Sequence, residues 1–195
     1  ERPHWEQICA ELSDDYTNVN GRYSEHFVGK VPPFTREAAA HFVMNGRHYI
    51  YTSGTTSYTP NPSEVAVFDD YHGKYTVLGD PHIGDEYAHF FCSQITSVIK
   101  IPGKNLYVVM ADRWQPHTNK TDIPKKDWQS LLNRYKDHRP YPKDFEIPKV
   151  ADRFYTLVNP NQDVYKATYV FLPVVVKDGV PMIEWKDEWK LEDYE

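Results

Sequence analysis

Cysteine is scarce. Cys9 and Cys92 are the two in 195 residues. They make no disulfide framework, and no Cys-x-x-Cys or His-Glu-x-x-His pattern offers a metal cage. Both are expected as buried free thiols that pack like small apolar side chains. Long apolar runs are also missing. Tyr169–Val176 is among the longest and falls far short of the roughly 20 residues that span a bilayer as a helix. Basic runs are absent and the formal charge is −6, so neither nucleic acid nor an anionic membrane is expected as a partner. His41, His48, His82, His89 and His117 are scattered without ligand spacing, and no metal or other cofactor is expected from them. There is no signal peptide and no initiating Met. The chain opens on Glu1 inside what reads as a strand, so its N-terminus is expected to have been removed or never included.

Tyrosine and proline are plentiful, 15 of each, and aromatics make up 15%. Many turns between short aromatic strands suit an all-β chain, often one that binds sugars on aromatic faces. Strand propensity alone explains the tyrosines equally well. A chain of 195 residues is enough for one domain with a substantial core; residues 1–195 are read as a single domain.

The pattern centres on Phe34–Asn61. Glu37 heads an apolar run, Asn45-Gly46 is a strong two-residue hairpin turn, and His48–Thr52 returns as a strand. Both open ends of a hairpin lie at one sheet edge, so Glu37 should lie near the loop Thr55–Tyr58. Further hairpins are predicted over Trp5–Phe27, Ser63–Leu78, His89–Ala111 and Tyr169–Trp185. Gly79–Glu86 reads as loop. Between Asp112 and Lys166 an insertion (115–166) carries a helical pattern over Lys125–Asp137. It serves as a wall over a site or as decoration.

Three pairs, Glu37 and Gln94, Gly46 and Gly103, and Thr55 and Asp112, are each 57 positions apart. The two central hairpins therefore superpose without a gap, an internal repeat of blade size. Each unit holds an inner hairpin (Glu37–Thr52, Gln94–Ala111) and an outer one. This gives two complete four-strand units and one half, or part of a β-propeller. An open antiparallel sheet or sandwich uses the same hairpins.

In a propeller the inner strands end in one funnel, and Glu37 and Gln94 occupy equivalent positions there. Partial desolvation raises a carboxylic pKa, which suits a general acid. A surface glutamate paired with Arg36 or Arg47, and a buried amide serving the backbone, are the plainer readings. Tyr58 and Trp114 follow the equivalent returning strands and could stack on sugars, or simply pack. Asp112, Thr55 and Thr56 could bond hydroxyls. Glu6 is a further carboxylate on the first strand, explained as well by a solvated face.

These residues carry a resemblance. Arg36-Glu37-Ala38-Ala39-Ala40 resembles the Arg-Glu-Ala-Pro-Ala run of glycoside hydrolase family 43, whose glutamate is the general acid. Ser53-Gly54, Tyr58 and Pro60-Asn61 resemble its Ser-Gly…Trp…Pro-Asn loop. Ser93-Gln94, Ala111–Trp114, Tyr169–Pro173 and Glu184–Trp189 are similar to further stretches, and the nearest branch holds exo-β-1,3-galactanases. The resemblance implies a five-bladed β-propeller, of which about two and a half to three blades are present. It also implies an inverting exo-glycosidase on galactose-containing or related plant glycans, with Glu37 as acid. The family's usual base, an aspartate of the first blade, has no counterpart here; the galactanase branch places a glutamine at the water-activating position, which Gln94 matches. A periplasmic or extracellular location is implied too. Ala39 and Tyr58 depart from the family's Pro and Trp, which opens the sugar specificity to arabinofuranosides, xylosides or galactofuranosides. A non-catalytic carbohydrate-binding propeller, an inactive fragment, and a scaffold that binds protein partners are the alternatives. The open sheet edges are expected to meet missing N-terminal blades or a second copy.

Overall fold

The computed structural model describes residues 6–30, 35–55, 61–85, 90–114 and 167–195. Its elements are β1 (Gln7–Leu12), β2 (Val19–His26), β3 (Arg36–Met44), β4 (Arg47–Gly54), β5 (Glu64–Phe68), β6 (Thr76–Gly79), β7 (His82–Ile83), β8 (Gln94–Lys100), β9 (Tyr107–Arg113), β10 (Thr168–Lys177) and β11 (Val180–Glu184). Among the described residues the only helical pieces are two single turns, Phe90–Cys92 and Leu191–Asp193. None is long and apolar enough to cross a membrane.

The strands form three sheets, ordered β1-β2, β3-β4-β5-β6 and β7-β11-β10-β9-β8. The two larger sheets contain the predicted units. In each, an inner hairpin (β3-β4, β8-β9) continues into an outer one (β5-β6, β10-β11) as an antiparallel meander. The hairpin β1-β2 is the predicted half unit. Strand β7 lies where only loop was expected. It adds to β11 in parallel, with His82 opposite Ile183. The expected strand His89–Ile101 instead begins at Gln94, because Phe90, Phe91 and Cys92 turn left-handed (φ 50°, 49° and 62°). The insertion 115–166 and its helical segment lie outside the described residues.

Successive side chains on β4 and β5 point to opposite faces of their sheet, and both faces are covered. Tyr49, Tyr51, Val65 and Val67 point to one face and join Phe42, Val109, Leu172 and Ile183 in the main core. Ile50, Ala66 and Phe68 point to the other face and meet Phe27 and Tyr75. A strand covered on both faces reads as a continuous apolar run. The buried Tyr51 hydroxyl has a partner across the core, the Pro181 carbonyl at 3.0 Å. Burial pushes its phenol well above the usual range. Strand β3 runs beside β8, so the two inner hairpins are neighbours.

The hairpin β1-β2 docks through rings. His26 stacks on Tyr75 with centroids 3.7 Å apart, and Tyr75 stacks on Phe68 at 4.1 Å. Cys92 is buried as expected, but Cys9 on this hairpin is only half-buried. Its side chain bonds the Tyr75 hydroxyl, so it serves the docking contact rather than the core. Burial holds the His26 imidazole below its usual range, and charge on nearby His72 adds to this. A depressed folded value means the unfolded chain takes up that proton first. The stability His26 contributes is therefore present above its unfolded value of about 6.5 and is lost as pH falls from there towards the folded value. The difference in melting temperature between pH 7 and pH 5 should shrink in His26→Phe, which keeps the stack but cannot titrate. An unchanged difference would remove His26 from the acid response.

The 57-residue register holds for the entering strands and fails at the turns. The first inner hairpin closes on Asn45-Gly46, with Met44 opposite Arg47. The second closes over 101–106, with Lys100 opposite Tyr107. Consequently Glu37 faces Ser53, while Gln94 faces Asp112. The ladder counterpart of Asp112 is Ser53 rather than Thr55, because the second hairpin is two residues longer between these partners (112 − 94 against 53 − 37).

Candidate functional site

Glu37 opens β3, Ser53 is near the end of β4, Gln94 opens β8 and Asp112 is near the end of β9. Directly opposed antiparallel residues share a face. Glu37 and Ser53 therefore face the same way, as do Gln94 and Asp112. The neighbouring inner hairpins bring the two pairs together. The Gln94 amide Nε2 donates to Glu37 Oε1 at 3.1 Å and to Ser53 Oγ at 2.6 Å. Two residues 57 positions apart in sequence are thus in direct contact at a shared sheet edge.

Local backbone irregularities aim both side chains. The β3–β4 register shifts between Glu37 and Ala40, and Ala38 sits there at φ 51°. The β8–β9 register shifts between Ile95 and Ser97, just after the left-handed turn Phe90–Cys92. Bulges of this kind re-aim side chains and recur beside active sites. A non-glycine residue in the left-handed region costs roughly 1–2 kcal/mol and persists where its surroundings impose it. Here Phe90 and Cys92 are pinned in the interior, and the Phe90 carbonyl accepts from both the backbone N–H and the hydroxyl of Ser93. Ala38→Gly should be neutral or slightly stabilising, within about 1 kcal/mol. Ala38→Val, β-branched in that region, should cost at least about 1–2 kcal/mol. Urea midpoints of the two variants measure the difference, and equal midpoints would show that the bulge carries no strain.

Beneath this edge lies a buried cation, Arg36, expected from the sequence as a surface partner for Glu37 or as the first residue of the Arg-Glu motif. Arg36 is 7% exposed. Its Nε donates to the Ser53 carbonyl at 3.0 Å, its Nη2 to the Pro62 carbonyl at 3.0 Å, and its Nη1 lies 3.3 Å from Glu64 Oε2. Lys30 pairs with the other Glu64 oxygen. Burial pulls the guanidinium below its usual range; the charges of Glu64, Asp80 and Glu37 pull the other way. Arg36 therefore ties β3, β4 and β5 together directly under the site.

Asn61 was visible only as part of a motif. It is 3% exposed and holds both backbone polar groups of Gly54. The Gly54 N–H donates to its Oδ1 at 2.6 Å, and its Nδ2 donates to the Gly54 carbonyl at 3.0 Å. Thr55 Oγ1 bonds Thr35 Oγ1 at 2.6 Å, which fastens the base of the loop. Thr55 therefore lies at the predicted edge, though turned to a neighbouring threonine. Trp114 follows β9 and is buried, with 9% exposure. Glu6 directly precedes β1, on the two-stranded hairpin. Thr56 and Tyr58 lie outside the described residues. One cavity, of about 180 Å³, opens between β1 and the outer face of the central sheet, lined by Ile8, Cys9, Ile50, Phe68 and Tyr75 among others. It is apolar and separate from the carboxylate.

No family model and no curated protein matches the chain. Solved structures do. A glycoside hydrolase family 43 β-1,3-galactosidase solved with galactodeoxynojirimycin is 26% identical over 94% of this chain, with a TM-score of 0.64. A second β-1,3-galactosidase of that family is 23% identical over 97%, with a TM-score of 0.66. An exo-β-1,3-galactanase from Clostridium thermocellum is 22% identical over 92%, with a TM-score of 0.54. By fold, then, the chain is a relative of glycoside hydrolases. More narrowly, the glycoside hydrolases it resembles are those of family 43 in the β-1,3-galactosidase and exo-β-1,3-galactanase group. The chain spans 39%, 30% and 28% of the lengths of these three proteins.

Proposed function

We propose that this chain carries part of the active site of an inverting exo-glycosidase acting on β-1,3-linked galactan or a related galactose-containing glycan. The observation that carries this reading is the Glu37–Gln94–Ser53 cluster at the joint edge of two neighbouring meanders. Glu37 serves as general acid and protonates the leaving glycosidic oxygen. It is half-buried and sits on a bulged strand whose base Arg36 anchors. Gln94 cannot accept a proton as a carboxylate does. Its two amide hydrogens are engaged by Glu37 and Ser53, which leaves Oε1 as the acceptor that can orient water. Asp112, cross-strand from Gln94, offers a hydroxyl-binding carboxylate. The two meanders and the half unit are blades of a β-propeller. At least about four such units close a ring, and we propose that the exposed edges meet further blades or a second copy. A periplasmic or extracellular setting suits such a substrate.

One distance favours a second reading. Inverting pairs of carboxyls stand about 6.5–9.5 Å apart to admit the sugar and water, whereas Glu37 and Gln94 touch at 3.1 Å. Catalysis therefore requires this bond to open when sugar binds. A site that keeps it closed would bind carbohydrate without cleaving it. Incubating the full-length protein with β-1,3-galactan, aryl β-galactosides, galactofuranosides and arabinofuranosides distinguishes the two. Release of galactose with inverted anomeric configuration, followed by NMR, supports the enzyme. Calorimetric binding of galactosides without product after prolonged incubation supports the binding module.

A further inference from the structure

We infer that Ser53 is a positioning residue that fixes which end of the Gln94 amide meets Glu37. An amide can turn over and present either Nε2 or Oε1 to a neighbour, and the two orientations have opposite consequences for an acid. With Nε2 towards Glu37, the carboxylate can only accept. Its proton, when present, is not held by the amide, so it is free for a leaving group once sugar parts the two side chains. With Oε1 towards Glu37, the protonated carboxyl donates to the amide and its proton is sequestered.

The structure contains a chain of contacts that favours the first orientation. The buried Ser53 hydroxyl lies 3.4 Å from the Gly54 carbonyl, an acceptor to which it can turn its hydrogen. This leaves Oγ as an acceptor for Gln94 Nε2 at 2.6 Å. The Gly54 N–H and carbonyl are in turn both held by Asn61, and the Ser53 carbonyl is held by Arg36. The amide's second hydrogen then falls to Glu37. Orientation passes from Asn61 through Gly54 and Ser53 to Gln94. Ser53 touches no reacting atom in this arrangement and acts through Gln94. The functional consequence rests on the glycosidase reading above; the orientation itself does not.

Two measurements separate these layers. In the chain as it stands, the Gln94 side-chain N–H signals are followed by ¹⁵N NMR in wild type, Ser53→Ala and Ser53→Thr. In Ser53→Ala, at least one of the two amide hydrogens should exchange with water markedly faster, and Ser53→Thr, which keeps the hydroxyl, should restore slow exchange. Unchanged exchange in Ser53→Ala overturns the inference. If Ser53→Ala does not fold, Ser53→Cys keeps the packing with a weaker acceptor and is read the same way. In the full-length protein, kcat on β-1,3-galactan should fall roughly 10- to 100-fold with KM nearly unchanged, the scale set by a misplaced reacting group. The alkaline limb of the pH–rate profile should move to higher pH, because a freed amide can accept the acid's proton. An altered KM with an unmoved pH profile overturns the functional part. Slowed exchange in wild type without any turnover leaves the orientation standing and refutes the glycosidase reading.

Discussion

Glu37→Gln is expected to lower kcat on β-1,3-galactan by about 10²–10⁴-fold, the usual contribution of a positioned general acid. The substitution is nearly isosteric. The new amide keeps a carbonyl oxygen where Glu37 Oε1 now accepts from Gln94, so the sheet edge should survive and the melting temperature should barely move. An aryl galactoside with an activated leaving group needs less proton donation, and its loss should be much smaller. That contrast between substrates is the diagnostic result. A galactan rate within a few-fold of wild type would remove Glu37 as the acid. An equal loss on both substrates would point to damaged binding instead.

Arg36→Met is expected to produce the largest loss of stability, about 3–5 kcal/mol, the range for breaking a buried ion pair from one side. The Ser53 and Pro62 carbonyls would lose their donors, and Glu64 would keep only Lys30. For a chain of this size, about 2–4 °C is lost per kcal/mol, so thermal unfolding should move by roughly 10 °C. Arg36→Lys should rescue little, because an ammonium cannot reproduce a planar fork that spans two carbonyls and a carboxylate. An Arg36→Met variant within about 1 kcal/mol of wild type would mean that Arg36 does not hold the three strands together.

Much of the architecture was legible because it is local. Asn45-Gly46 marks its turn, and the aromatic and β-branched residues of His48–Thr52 mark the returning strand. Those signals yielded two four-strand units and a half unit, and each stands in the structure as a hairpin or meander. The pairing of Glu37 with Gln94 was also legible, as a repeat distance, and the two do meet. Short β7 was not legible, because a two-residue parallel strand carries no period and depends on β11 being beside it.

The chain by itself settled that these residues form hairpins of a fixed alternation, and that a carboxylate and an amide hold matching places on two of them. Turn chemistry and side-chain periodicity act between near neighbours, so they are written in the sequence. Which residue faces Glu37 was decided only in three dimensions. A regular ladder from the Asn45-Gly46 turn would have set Gly54 opposite Glu37. The bulge at Ala38 moves the register by one and places Ser53 there instead. No glycine announces that bulge. A one-residue slip exchanges the faces of a strand. For that reason the partner of the candidate acid, and the buried Arg36 beneath it, came from the tertiary structure and not from the pattern of residues.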